Sequence, residues 1–124
     1  MSQNEFIYLC GKADVLLDPL YFGAGNSFIE TFLYPVPLVT CPGTFLRSRI
    51  ALGLYKQLNI LDAPICKSIE DYVFKAVELA NNKKNNIFIR EQISEKRKFF
   101  FKNKNVLTEY ENFFLNLMNG RRDL

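Results

Sequence analysis

A chain of 124 residues with 48% hydrophobic, 15% aromatic and 23% charged positions is long enough for one domain and too apolar for wholesale disorder. Sixteen Lys and Arg against thirteen Asp and Glu leave a net charge of +3, too mild a surplus to argue for a nucleic-acid partner. No run approaches about 18 consecutive apolar residues, so a membrane-spanning helix is excluded. With no histidine, the chain holds neither a Ser-His-Asp triad nor a His-based zinc site.

Residues 4–11 read as a short helix closed by Gly11 as C-cap. Val15-Leu16-Leu17 is a short continuous apolar run, the pattern of a buried parallel strand. Pro19 ends it, because proline donates no ladder hydrogen bond. Residues 19–27 form a loop with Gly23 and Gly25. Asn26 or Ser27 then caps a helix to Tyr34, where Pro35 and Pro37 stop it. Pro37–Cys41 is a second strand. Strand, helix and strand in this order make a right-handed βαβ unit with parallel pairing.

After the loop Pro42–Phe45, a helix spans Leu46–Leu58, with Thr44 as candidate cap and Ile50, Leu54 and Leu58 on one face. Asn59–Lys67 is a connection containing Pro64. Ser68 starts the next helix and nearly forms a capping box with Asp71; Ile69, Tyr72, Val73, Ala76 and Ala80 make its apolar face. A long helix from Lys84 to Phe100 carries Ile89, Ile93 and Phe100, and Asn103–Asn105 breaks it. The last helix, Val106–Asn119, has Val106, Tyr110, Phe113, Phe114 and Leu117 on one stripe, and Gly120 closes it ahead of a charged tail.

The expected fold is therefore α/β: one parallel βαβ unit followed by four helices, a single partial lobe over 1–124 with 81–124 as its C-terminal helices. Two short strands make a poor sheet by themselves, so the chain reads as the end of a doubly wound domain whose first strands lie elsewhere. The open strand edge is expected to be covered by a second copy or by another part of a longer protein. Cys10, Cys41 and Cys66 are odd in number and lack a CxxC spacing, which suits a reduced cytoplasmic protein. The polar start Met1–Glu5, without the layout of a signal peptide, points the same way.

Two places carry chemistry. At Gly23-Ala24-Gly25-Asn26-Ser27 a strand feeds a glycine loop that opens a helix. Small residues there let a phosphate approach the unpaired amides and partial positive charge of the helix start. Glu30, about one turn on, is placed to accept hydrogen bonds from ribose hydroxyls. The same spacing also fits a tight turn with an ordinary cap and an exposed Glu. The second place, Thr40–Arg49, leaves the C-terminal end of the second strand, where open α/β sheets bind ligands. Arg47 or Arg49 is a candidate to face a phosphate, the alternative being a solvated arginine on a first helical turn.

Other features read as structural. The basic runs Lys83-Lys84, Lys96-Arg97-Lys98 and Arg121-Arg122 alternate with Glu91, Glu95 and Glu109, as solvated helix faces do. Phe99-Phe100-Phe101 points several ways around a helix, which suits core and partner contact better than base stacking. Cys41, with no histidine or metal partner in view, reads as a small buried residue rather than a nucleophile.

Together, Ala13–Pro19, Gly23–Glu30, Pro35–Gly43 and Phe45–Arg49 resemble the C-terminal part of the O-GlcNAc transferase family, nearest to its bacterial SPINDLY-like members. Ile69–Val73 with Ala76–Ala80 resembles a later segment of the same family. The likeness covers 13–80 firmly and 81–124 loosely. It implies a GT-B architecture, two Rossmann-like lobes with a nucleotide sugar held mainly by the C-terminal one. It implies that Gly25, Asn26 and Ser27 face the diphosphate and sugar and Glu30 the ribose; Gly23 and Arg47 or Arg49 are added to that site by the reading of the two loops. The implied donor is UDP-GlcNAc or a similar nucleotide sugar, used with no metal or other cofactor; the implied acceptor is a protein Ser or Thr hydroxyl.

Gly25-Asn26-Ser27 stands where animal members have His-Thr-Thr. Gln3, Phe6 and Leu9 stand where those members have base-contacting Lys, His and Arg, and Pro35 replaces a common Gly. The resemblance also implies an upstream lobe and acceptor-selecting repeats, so transfer is expected of a larger parent and the isolated chain is expected to be inactive. A second expectation, from another class, is a non-catalytic module that keeps the fold and self-associates through the strand edge; on either reading a dimer or higher oligomer is expected, because the Val15–Leu17 strand lacks a neighbour.

Overall fold

The computed structural model describes residues 1–120, so the Arg121-Arg122 run lies outside the described residues. In chain order it contains α1 (Gln3–Lys12), β1 (Leu16–Leu17), α2 (Asn26–Thr31), β2 (Leu38–Val39), a 3-10 turn (Leu46–Ser48), α3 (Ile50–Gln57), α4 (Ile69–Asn81), α5 (Lys83–Phe101) and α6 (Asn105–Gly120). The expected βαβ unit followed by four helices is what forms.

α1 starts earlier than expected. Ser2 Oγ accepts from the Glu5 amide at 3.3 Å and the Glu5 carboxylate accepts from the Ser2 amide at 2.6 Å, a reciprocal capping box. The Ser2 bonds hold the Glu5 carboxyl below its ordinary pKa. Gly11 is not the C-cap; Ala13 is. Gly11 lies inside the helix, at a point where a Cβ would sit 2.5 Å from Tyr34 Cγ. The glycine lets α1 pass close to the turn after α2.

β1 and β2 pair in parallel, Leu16 with Leu38 and Leu17 with Val39. The Leu16 amide donates to Pro37 O at 2.8 Å and the Asp18 amide to Val39 O at 2.9 Å. β2 is buried on both faces, as a central parallel strand should be. The segment 59–67 is more than a connection. Thr40 bridges in parallel to Ile65, with Thr40 N donating to Pro64 O at 3.0 Å and Cys66 N to Thr40 O at 2.8 Å. Opposite Leu38, Tyr55 stands in for a strand neighbour: its hydroxyl accepts from the Leu38 amide at 2.8 Å and donates to the Leu38 carbonyl at 2.9 Å. Burial raises the Tyr55 phenol far above its ordinary range.

The core gathers on this strand pair. Phe28 and Phe32 of α2 meet at 4.8 Å between ring centroids, and Phe28 meets Tyr55 edge-on at 5.9 Å. The expected helix Leu46–Leu58 is broken in two. Ser48 Oγ accepts from the Gly43 amide at 3.1 Å and donates to Phe45 O at 2.9 Å, a local alternative to helical bonding. Thr44 is not the cap; Phe45 occupies that position with no side-chain bond.

Ser68 caps α4 through the Asp71 amide at 3.1 Å, but the Asp71 carboxylate accepts from Lys67 N, not from Ser68 N. The helix is also turned from the expected face. Tyr72, Ala76 and Leu79 pack on the core, while Ile69, Val73 and Ala80 are exposed. The Tyr72 hydroxyl, bonded to Asp18 O at 3.0 Å, fixes that rotation.

α5 braces the rest. Ile89 and Ile93 are buried and Phe100 packs against the core, whereas Phe99 and Phe101 are exposed. Two helical turns apart, Arg90 donates to Ala13 O at 2.6 Å and Arg97 to Phe32 O at 2.7 Å. Each guanidinium thus sits at the carbonyl end of a helix, α1 or α2, where the partial charge is negative. Gln92 grips Leu61 by both amide and carbonyl, at 2.8 and 3.0 Å. That grip lies within a turn where Asn59 and Asp62 take left-handed backbone angles, φ 50° and 54°. α6 buries no residue, and its expected apolar stripe is exposed along its length. No helix among the described residues is long and apolar enough to cross a membrane.

Candidate functional site

The glycine loop leaves the C-terminal end of β1, and the loop after β2 leaves the same end of its parallel neighbour. Both therefore lie on one rim of the sheet, where ligands collect in open α/β folds. The two loops are stitched together. The Gly23 amide donates to Arg47 O at 2.9 Å, and Arg47 Nε donates to Tyr21 O at 3.1 Å. A Cβ on Gly23 would lie 3.1 Å from both Arg47 O and an Asp18 carboxylate oxygen. Gly23 is buried with its amide already used, so its place is in the loop's construction and not on its open surface.

Gly25 is the N-cap of α2, and no side chain caps it; Asn26 and Ser27 are the first helical residues rather than caps. Both are exposed. The first helical bonds run from Phe28 N and Ile29 N to Gly25 O. The amides of Gly25, Asn26 and Ser27 meet no acceptor among the described residues, as expected for a helix start.

Glu30 is half-buried on α2, one turn beyond Asn26 and on the same side of the helix. One of its carboxylate oxygens accepts from Gln3 Nε2 at 2.8 Å, so α1 reaches the site at this point. The arginines are otherwise occupied. Arg47 stacks its guanidinium 4.7 Å over the Phe45 ring, and Arg49 donates to Gly43 O at 2.7 Å. Both are exposed on the rim. The structure brings Gly23, Arg47 and the loop together directly and leaves Arg49 serving the second loop.

Sequence reasoning missed the residue at the centre of this junction. Asp18, directly after β1, is 2% exposed. Its carboxylate accepts from the Ala24 amide at 2.7 Å and from Thr40 Oγ1 at 2.6 Å. The available signal was an acid between an apolar strand and a proline, Leu16-Leu17-Asp18-Pro19. Tyr72 joins from α4 through the Asp18 carbonyl, and burial raises its phenol pKa, with the Asp18 charge adding to the effect.

Beside Ser27, between α1 and α2 and over β1, a cleft of about 220 Å³ is lined by Phe6, Cys10, Leu17, Ala24 and Thr31. It is mainly apolar. A polar hollow of about 230 Å³, bounded by Asp62, Lys75, Glu78 and Asn85, shares no element with the glycine loop. Cys41 is half-buried beside the rim. No group of three or more Cys, Asp or Glu among the described residues is arranged to hold a metal ion.

No protein-family model matches the sequence. The chain is 26% identical over 92 residues to the UDP-glucose:protein N-beta-glucosyltransferases of Actinobacillus pleuropneumoniae serotype 5b (strain L20) and serotype 7 (strain AP76). Those matches take in 74% of this chain and 15% of each relative. Among solved structures, a point mutant of the Thermobaculum terrenum O-GlcNAc transferase matches with a TM-score of 0.71 and 20% identity, over 79% of this chain and 19% of that one. The chain thus spans less than a fifth of the length of either kind of relative. The expected resemblance and the expected fold class are both borne out: the chain has the fold of a partial GT-B, Rossmann-like lobe of an O-GlcNAc-transferase-like glycosyltransferase.

Proposed function

We propose that the chain is part of a nucleotide-sugar-dependent glycosyltransferase that modifies protein. The observation that carries the reading is the loop at the C-terminal rim of the parallel strands. Its Gly25–Ser27 amides have no acceptor among the described residues, and a carboxylate, Glu30, lies one helical turn away. The names of the matched relatives add support, since they describe transferases of glucose to protein and of GlcNAc.

In this reading the diphosphate of a UDP-sugar lies against the Gly25–Ser27 amides. Those amides stabilise the charge that grows on the departing diphosphate. Glu30, steadied by Gln3, orients the ribose, and Arg47 and Arg49 lend positive charge at the rim. UDP-GlcNAc is the proposed donor and a protein Ser or Thr hydroxyl the proposed acceptor. The reaction needs no metal or other cofactor, and the setting is the cytoplasm. Because the loop is open, these residues form half of a cleft. They do not by themselves exclude water or position an acceptor, so transfer belongs to a longer parent.

Glu30→Ala in that parent is expected to lower transfer at least about tenfold, as removal of a charge-assisted hydrogen bond does. A normal rate in that variant would refute the ribose role. A second reading, a self-associating module, is favoured by two features: Leu17 at the β1 edge is 55% exposed, and α6 presents an unburied apolar stripe. A reading frame that continues upstream into further lobes favours the transferase over the module; on either reading light scattering at micromolar concentration is expected to show a dimer or larger species, and a clean monomer would count against self-association.

A further inference from the structure

The Asp18 carboxylate is the most completely buried acid of the rim, and no cation lies against it among the described residues. A charge in that position is tolerated only when its oxygens are hydrogen-bonded. Each oxygen has one partner, and the partners come from different loops. Oδ1 takes the Ala24 amide from the glycine loop, and Oδ2 takes the Thr40 hydroxyl from the end of β2. The Asp18 backbone is held as well, its amide by Val39 O and its carbonyl by the Tyr72 hydroxyl. The side chain therefore projects from a fixed point. Gly23 passes so near it that a Cβ would lie 3.1 Å from one carboxylate oxygen and 3.3 Å from the other.

We infer that Asp18 is the positioning residue of the glycine loop. By consuming the Ala24 amide it sets where the loop turns, and so turns the next amides, Gly25 to Ser27, outward. It is too deeply buried to touch a ligand itself. The inference rests on the proposed nucleotide site for its functional meaning, but the loop geometry can be tested without any ligand.

The test is amide hydrogen exchange and proton chemical shift on the 124-residue chain, comparing wild type, Asp18→Asn, Asp18→Ala and Thr40→Val, followed by titration with UDP. Asp18→Asn keeps an acceptor of the same size for Ala24, so the Ala24 amide stays protected within about threefold. Asp18→Ala removes both bonds and speeds exchange at Ala24 by about tenfold or more. It also shifts the amides of residues 23–27, while those of α5 stay unchanged. Thr40→Val removes the bond to Oδ2 alone, which lowers stability, and leaves Ala24 protected in the folded chain.

If Asp18→Ala does not fold, Gly23→Ala provides the check. Its new methyl group presses on the carboxylate and is expected to move the Ala24 resonance and speed its exchange. Unchanged shifts and exchange at 23–27 in Asp18→Ala, or in Gly23→Ala should it be the variant available, would overturn the inference.

UDP is expected to shift the amides of Gly25–Ser27 in wild type and Asp18→Asn, with about tenfold weaker binding in Asp18→Ala. Equal UDP affinity in Asp18→Ala and wild type would also overturn it. Absence of any UDP effect on wild type would defeat the nucleotide reading alone, and the exchange data would still decide the role of Asp18.

Discussion

Replacing Tyr55 with Phe removes one oxygen atom and two hydrogen bonds. The ring is 1% exposed, so its contacts with Phe28 and the core survive the change. The loss falls on Leu38, itself 2% exposed, whose amide and carbonyl both depend on the Tyr55 hydroxyl. A buried backbone group stripped of its partner costs about 1–3 kcal/mol. Two such groups on one residue relax together, so the expected loss is about 2–4 kcal/mol. That is a large share of the 5–15 kcal/mol that typically holds a domain together. For a chain of this size it lowers Tm by roughly 10 °C. Urea unfolding followed by far-UV circular dichroism measures the effect, and the midpoint should fall with no change in slope. A loss under about 0.5 kcal/mol would show that Leu38 has another partner and that Tyr55 is not a substitute strand residue.

Gly11→Val places a branched side chain where even a Cβ meets Tyr34 at 2.5 Å, and should destabilise by about 1–3 kcal/mol in the same urea assay. Arg97→Ala releases the carbonyls at the end of α2 and should cost about 1–2 kcal/mol. Adding Arg90→Ala, which acts on α1, should give nearly additive losses, since the two clamps share no partner. Burial pushes the Cys66 thiol up to about 11. The unfolded thiol ionises near pH 9 while the folded one keeps its proton, so stability should fall as pH rises from about 9 to about 11. Urea midpoints at pH 8 and pH 10 should show that decline, and Cys66→Ala should reduce it, leaving the smaller part that the raised Tyr55 and Tyr72 phenols contribute.

The parallel βαβ unit was legible because its signals are local. An apolar pair before a proline, a glycine loop and a second apolar run ending in a loop allow few other arrangements. The helix starts were less legible. Ser2-Gln3-Asn4-Glu5 spells a capping box, but the apolar residues that follow it are compatible with a start one residue later than Gln3. Gly11 resembles a helix end in sequence, and only its approach to Tyr34 explains it. The bridge at Ile65 is one residue long, too short for any periodicity to register. Ser48 split a helix that the four-residue repeat favoured, because a side-chain hydroxyl competed with the backbone. On the rim, Gly25, Asn26, Ser27 and Glu30 were legible from the loop-to-helix pattern. Asp18 was not, because its partners come from residues 6 and 22 positions further along the chain.

The contrast between α5 and α6 sets where the chain can be shortened. Ending it within the 102–104 connection discards sixteen helical residues and, among the described residues, not one occluded side chain, so the remainder should melt at nearly the same temperature. Ending it before Lys83 instead strips the fastenings from both early helices and bares Ile89's and Ile93's neighbours to water. The fastenings of this partial lobe therefore end just past Phe101, and whatever α6 is kept for, it is not upkeep of the fold.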